Sequence, residues 1–400
     1  MHRGAPTFIL AGFPVLLGAL GCAGAESAAS SEAVQAAAVD ETHSYRVTTV
    51  VDGLENPWSM AFLPNGDMLV TERPGRLRLV REGALLPDPI AGVPEVRVYG
   101  QGGLLDVALH PEFETNRLVY LSFAKPNAGA SEATTAVVRG RLEGNALVDV
   151  DEILEADAWG PGRDHFGSRL LFDDDGYLFI TIGDRGLQAD PADLAGHPAQ
   201  DLGTLRGKIL RLHDDGRIPA DNPFIDTPGA RPEIWSYGHR SPQGLAFHPV
   251  TRELWETEHG PQGGDELNRI LPGRNYGWPV IGYGVEYGGD RIHSSSASEG
   301  MEQPVHYWVP SIATSGLMIY DGDRFPAWRG NAFVGGLAGQ QLARVSLDGA
   351  SSTGEETLLE DMGRVRDIRQ GPDGYIYVAL EARGGATTPI VRLEPEDGGM

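Results

Sequence analysis

An all-β fold, and within that class a six-bladed β-propeller, is what this 400-residue sequence predicts. Three observations carry the prediction. From Tyr45 onward, short apolar runs are broken by Gly, Pro, Asn and Asp, and an apolar pattern of helical period is almost wholly missing. Six of these runs share one form, in which an apolar stretch, a turn of Pro or Asp with Gly or Asn, and a second apolar stretch follow one another. The six recur at irregular spacings of roughly 50 to 75 residues, which marks repeats that carry insertions.

In chain order the units are "MAFLPNGDMLVTE", "VALHPEFETNRLVYLSF", "LLFDDDGYLFITIGD", "LAFHPVTRELWETE", the looser "GLMIYDGDRFPAWRGNAFVGGL", and "IRQGPDGYIYVAL". Their turns suit hairpins because Gly tolerates positive φ, while Asn and Asp hydrogen-bond their own turn backbone. Radial repetition buries both faces of each sheet and leaves only short edges. The propeller is therefore expected from about Tyr45 to Leu393, within a folded domain of residues 45–400. A β-sandwich accommodates six similar hairpins over so long a stretch poorly.

Apolar residues make up 41% of the chain, and 56 acidic residues against 32 basic ones give a net charge of −24. Such a balance argues against nucleic acid as a partner, and any anionic ligand would need a local cluster of arginines. Residues 1–22 combine an early Arg, an apolar run and small side chains, the pattern of a secretion signal and too short for a spanning helix. The single cysteine, Cys22, follows that run in a setting like a bacterial lipobox, with Ala19 where Leu is commonest. It predicts lipid attachment, or else loss with a cleaved signal. Residues 23–44, rich in Ala, Ser and Glu, read as a flexible tether. In both cases the folded part is expected to be exported, to the periplasm or to a lipid-anchored position on the outer membrane.

Ligand chemistry is expected on loops that leave the innermost strands, at one end of the channel. His165 lies just ahead of an apolar strand and Asp184 ends the next one, so a hairpin returns both to one sheet edge. A carboxylate on one imidazole nitrogen fixes the tautomer and makes the other nitrogen a better base. Alone, His165 reads more readily as a satisfied structural histidine than as a base. Arg240 again stands directly before an apolar strand, and Arg364 and Arg366 are two apart, hence on one face of a strand. Like charges side by side suggest a carboxylate or phosphate between them, or else two solvated arginines on an edge strand. Gln101, flanked by glycines in "YGQGG", offers amide donors and an acceptor to a flat ligand that comes close. The stretch "EHGPQGGDELN", from Glu258 to Asn268, mixes acids with turn formers and is either a solvated loop or a Ca2+ loop.

The blocks "GQGGLLDVALHPEF", "HFGSRLLFDDDGYLFITIGDRG", "AQDLGTLRGKILRL", "SYGHRSPQGLAFHP", "EHGPQGGDELNRILPGRNYGWP" and "VRDIRQGPDGYIYVAL" closely resemble the soluble aldose sugar dehydrogenases that use pyrroloquinoline quinone. The resemblance covers nearly the whole chain after the tether and implies the same six-bladed fold. By it, His165 looks like the general base for the sugar's anomeric hydroxyl, Asp184 its anchor, and Arg240 a group that polarises the quinone together with Ca2+. Gln101, Tyr287, Arg364 and Arg366 match cofactor contacts, as do Ser241 and the Gly336-Leu337-Ala338 loop. Gly260 and Pro261 match the turn that aims backbone carbonyls at a catalytic Ca2+, and Asp265, Glu266 and Tyr276 match a second, structural Ca2+ site. Two positions depart from the family's pattern. Ser241 stands where Asn is frequent, and Ala338 where some members carry a Lys to the quinone.

The resemblance thus implies oxidation of an aldose by hydride transfer to the quinone C5, with an electron acceptor that it does not name, in a monomer or homodimer. Two rival classes remain at this point: a Ca2+-dependent lactonase, and a non-catalytic propeller that binds a glycan or protein.

Overall fold

The structure is a computed structural model and describes residues 44–396; the expected signal segment with Cys22, and the tether up to residue 43, lie outside the described residues. Six antiparallel sheets of four strands each follow one another along the chain as blades. Their innermost strands are Pro57–Phe62, Leu104–Leu109, Gly167–Phe172, Pro242–Phe247, Thr314–Ile319 and Arg364–Gln370. Each touches the next, and the last touches the first, so the ring closes. All six hairpins read from the sequence are the first and second strands of successive blades.

Closure itself left no mark in the hairpin pattern. Tyr45–Glu55 pairs antiparallel with Thr387–Pro395 as the outermost strand of the sixth blade, so the first and last described strands share one sheet. That pairing removes the free edge an open ring would expose.

Burial falls from axis to rim. Inner strands such as Thr314–Ile319 and Ile376–Glu381 are buried throughout, whereas the outer strand Ser351–Leu358 is mostly exposed. Sheets covered on both faces need apolar residues in unbroken runs, and this is why the hairpins are legible as apolar stretches rather than as strict alternation. Between the second and third blades, Tyr120, Leu170, Ile180 and Leu210 pack as one buried cluster. Near the axis the backbones come closer than a side chain allows: a Cβ on Gly316 would sit 2.8 Å from Asp367 Oδ1 and 2.9 Å from its Cα.

Charge, rather than apolar packing, fills the channel at that level. Arg169 Nη1 binds Asp106 Oδ1 at 3.2 Å and Asp367 Oδ1 at 2.9 Å. Arg369 reaches Asp367 Oδ2 at 3.1 Å and Asp106 Oδ1 at 3.3 Å. The Ser59 hydroxyl donates to Asp106, the Met60 amide to Asp367, and Arg169 Nε to the Gln243 carbonyl. Two carboxylates and two guanidinium groups cancel, and their partners come from five of the six innermost strands.

Removing one member would strand a buried charge, which costs about 3–5 kcal/mol. Asp106→Ala is expected to lower the urea midpoint by that amount of stability, with the secondary structure seen by circular dichroism kept below the transition.

Candidate active site

Above this charged floor opens a cavity of about 550 Å3 whose wall includes Trp58, Gln101, Phe166, Gln243, Ala313 and Arg366. These residues belong to, or directly precede, the six innermost strands, so every blade contributes to one chamber.

His165 and Asp184 do return to the same sheet edge. His165 Nδ1 lies 2.6 Å from Asp184 Oδ1. An ionised carboxylate only accepts, so Nδ1 carries the proton and Nε2 keeps its lone pair. Among the described residues Nε2 has no protein hydrogen bond. Asp184 is fully buried, its Oδ2 accepting from Trp278 Nε1 at 2.9 Å and its Oδ1 from the Gly186 amide at 2.8 Å. Burial alone would raise its pKa; the pairing with His165, with Arg240 and His197 behind, holds it below the usual carboxylate value. The His165 amide donates to Gln101 Oε1 at 2.9 Å, which makes Gln101 a brace for the base as well as a wall of the cavity.

This geometry is strained. His165 has φ 53°, a left-handed conformation that costs a non-glycine residue energy and is characteristic of functional positions. It is tolerated because Gly183 lies opposite, where any Cβ would collide with the His165 carbonyl.

Arg240 is buried over the Trp278 ring, 5.1 Å from its centroid. Its Nη1 donates to the carbonyls of His259 at 3.0 Å and Gly260 at 2.9 Å, so the guanidinium sits against the Gly-Pro turn. Ser241 is buried, and its hydroxyl accepts from Nε2 of Gln243, itself part of the cavity wall, at 3.3 Å.

Asp265 and Glu266 do not work as a pair, because neighbours on the strand Asp265–Ile270 face opposite ways. Asp265 ties the turn down, accepting from the Gly260 amide at 2.9 Å, the Ser311 hydroxyl at 2.8 Å and the Thr314 amide at 3.2 Å. Glu266 instead meets Asn268, whose amide serves Glu266 at 3.1 Å and Glu256 at 3.2 Å, beside the buried group of His239, Glu256 and Glu258. Burial, then the Glu258 charge, pushes the Glu266 carboxyl up to about 8 and raises Glu256 well above its usual value. Glu256 Oε1 and Asn268 Oδ1 are buried without partners. Crowded acids with orphaned oxygens are the environment a hard divalent cation fits. The Tyr276 hydroxyl is spent on the Arg269 carbonyl at 2.6 Å and the Leu271 amide at 2.8 Å, so only its backbone carbonyl is left for an ion.

The far wall is basic. Arg366 pairs with Glu381 at 2.6 Å, while Arg364 donates to the Leu337 carbonyl at 3.0 Å and keeps a buried Nε without a partner. Arg73 and Arg383 lie close enough to act on the same groups. Burial first, then these like charges, lowers the Arg364 pKa against the pull of Glu381. Four guanidinium groups against one carboxylate leave a positive excess in a protein of charge −24, which fits a flat polyanion. Leu337 and Ala338 line the same side, and Gly336 ends the strand behind them. Tyr287 stands largely exposed at the mouth, its carbonyl accepting from Gln262 Nε2 at 2.9 Å.

Trp58, Arg73, His259 and Arg383 were not anticipated. His259 lies inside the "EHGPQGG" block, and that was the signal available. Burial, then the neighbouring Arg240, His165 and Arg366, lowers its pKa well below the usual histidine value. Trp58 stands on the innermost strand Pro57–Phe62, while Arg73 and Arg383 come from loops whose convergence only the closed ring creates.

Fold and cavity define the class first, a six-bladed propeller with a chamber at its axis to which every blade contributes. Residues 54–392 match the Glucose / Sorbosone dehydrogenase family, and the chain belongs to it. The chain is 44% identical over 357 residues to the aldose sugar dehydrogenase YliI of Escherichia coli, covering 88% of this chain and 93% of that one. The apo-form crystal structure of the soluble aldose sugar dehydrogenase from Escherichia coli superposes with TM-score 0.82 at 41% identity, over 88% of this chain and all of that one. The PQQ-bound aldose sugar dehydrogenase of Streptomyces coelicolor does so with TM-score 0.70 at 31% identity, over 88% and 99%.

Trp278→Phe removes one donor from the buried Asp184 and should cost about 1–3 kcal/mol. Thermal denaturation of the cofactor-free protein checks this, and an unchanged midpoint would mean that the indole hydrogen bond holds nothing.

Proposed function

We propose that this protein oxidises aldose sugars at C1 to the lactone, with pyrroloquinoline quinone and Ca2+ as cofactors. One observation carries the reading: a His165–Asp184 pair with a free Nε2 beside a chamber whose opposite wall has an excess of arginine.

Arg364 and Arg366 would hold the quinone's carboxylates, with Gln101, Tyr287, Leu337 and Ala338 around its ring. The quinone, when bound, would supply a hydride acceptor at its C5 carbon, and Ca2+ held by the Gly260-Pro261 turn would supply charge that polarises it. His165 Nε2 takes the proton from the anomeric hydroxyl as C1 gives up its hydride. Asp184 keeps the imidazole in the right tautomer and stabilises the imidazolium that forms. Arg240, anchored on two carbonyls and a ring face, presents a fixed positive charge at low reorganisation cost. Glu266, with Glu256, Glu258 and the Tyr276 carbonyl, would hold the structural Ca2+.

A lactonase of this architecture needs carboxylates on the axis free to bind metal, and here Asp106 and Asp367 are committed to Arg169 and Arg369. A binding propeller has no use for a strained, buried base and acid. The reading takes the N-terminal signal as the route by which the chain reaches its work outside the cytoplasm.

The test is dye-linked oxidation of an aldose panel by the protein reconstituted with quinone and Ca2+. Turnover should require both additions, and His165→Ala should lower it by at least about a hundredfold. No turnover and no quinone binding by the wild type would end the reading. Separately, Ca2+ without quinone should raise the thermal midpoint, as a ligand of the native state must, and Glu266→Gln should diminish that rise.

A further inference from the structure

Arg185 directly follows Asp184 and is buried, yet no carboxylate contacts it among the described residues. Its Nη1 donates to the carbonyl of Asp164 and its Nη2 to the carbonyl of Gly162 at 2.9 Å. Arg185 Cζ rests 3.5 Å from the centroid of the Phe166 ring, and the Arg185 amide donates to the His165 carbonyl at 3.3 Å. One residue therefore grips the chain on both sides of His165 and at His165 itself. Arg185 is also left-handed, with φ 66°, so two strained residues, His165 and Arg185, face each other across the blade edge.

We infer that Arg185 is a positioning residue for His165, whose planar fork holds the 162–166 loop in the bent conformation that sets the imidazole on Asp184 and beside the cavity. The inference rests on the dehydrogenase reading only in what the imidazole is used for. Burying a guanidinium among carbonyls is unfavourable, and burial has pushed this one down to about 10. Lysine would bring a charge but not two parallel donors or a face to lie on the ring, so the task specifies arginine.

The holoenzyme carrying Arg185→Gly should lose about 10- to 100-fold in kcat, the scale of a displaced catalytic group, with aldose KM and quinone affinity within about threefold of wild type. Guanidinium chloride at millimolar concentration should restore much of the loss, and sodium chloride of equal ionic strength should not. Arg185→Lys should show the same kcat defect. In the cofactor-free protein, the Nδ1–H resonance of His165, assigned by its absence in His165→Ala, should be lost in Arg185→Gly and return with guanidinium.

Unchanged kcat in folded Arg185→Lys, or a loss in Arg185→Gly that guanidinium does not relieve, overturns the assignment. If the wild type itself shows no quinone-dependent turnover, the functional reading fails instead. The resonance comparison then decides on Arg185 alone: a signal that persists in both variants refutes it.

Discussion

The balanced charge cluster that stops the channel is the constraint from which the site follows. Asp106, Arg169, Asp367 and Arg369 share their oxygens and donors so that each carboxylate serves both guanidinium groups. None can turn away without leaving an ion unpaired in a low-dielectric interior, where the penalty is far larger than at a surface. The strands that carry them are thereby fixed in relative height. The candidate site side chains stand at or just before the starts of those strands, Gln101 before Leu104–Leu109, His165 before Gly167–Phe172 and Arg364 at the head of Arg364–Gln370, and Arg240 stands before Pro242–Phe247, whose Gln243 carbonyl accepts from Arg169. Register at the floor becomes register at the mouth.

Above the floor the chamber is polarised. One side gathers Arg73, Arg364, Arg366 and Arg383 around Glu381, and the other leads through the Gly260-Pro261 turn to the buried acids of the fourth blade. Arg240 lies between them, its amide on Glu258 and its guanidinium on the turn carbonyls. In a protein that is acidic as a whole, this segregation would give the proposed anionic ligand one way to lie, with His165 Nε2 beside it. Strain at His165 belongs to the same arrangement, since a relaxed loop would not turn the ring to Asp184.

Much of this was legible in the sequence because propeller blades are local. A hairpin is encoded by adjacent residues, so Gly, Pro, Asn and Asp at its turn disclose it without knowledge of the rest, and the His165–Asp184 meeting is a property of a single hairpin. What stayed hidden is long-range. Closure by Tyr45–Glu55 depends on a partner more than three hundred positions away. Arg73 and Arg383 reach the chamber only once the ring is closed. The splitting of Asp265 from Glu266 follows from strand alternation, yet the Gly-rich run before them gave no sign of where the strand starts. Arg364 and Arg366 looked like bare neighbours because Glu381, on the adjacent strand, is invisible to spacing along one strand.

The most direct measurement of the central claim is an equilibrium titration of the purified chain with pyrroloquinoline quinone in the presence of Ca2+, followed by quenching of tryptophan fluorescence. Trp58 in the cavity wall and Trp278 beneath Arg240 make the chamber self-reporting. The account predicts saturable binding of one quinone per chain, weakened at least about tenfold when Arg366 is replaced by Gln, since a charge-assisted carboxylate contact is lost. Quenching that fails to saturate, or that is indifferent to Arg366, would contradict it.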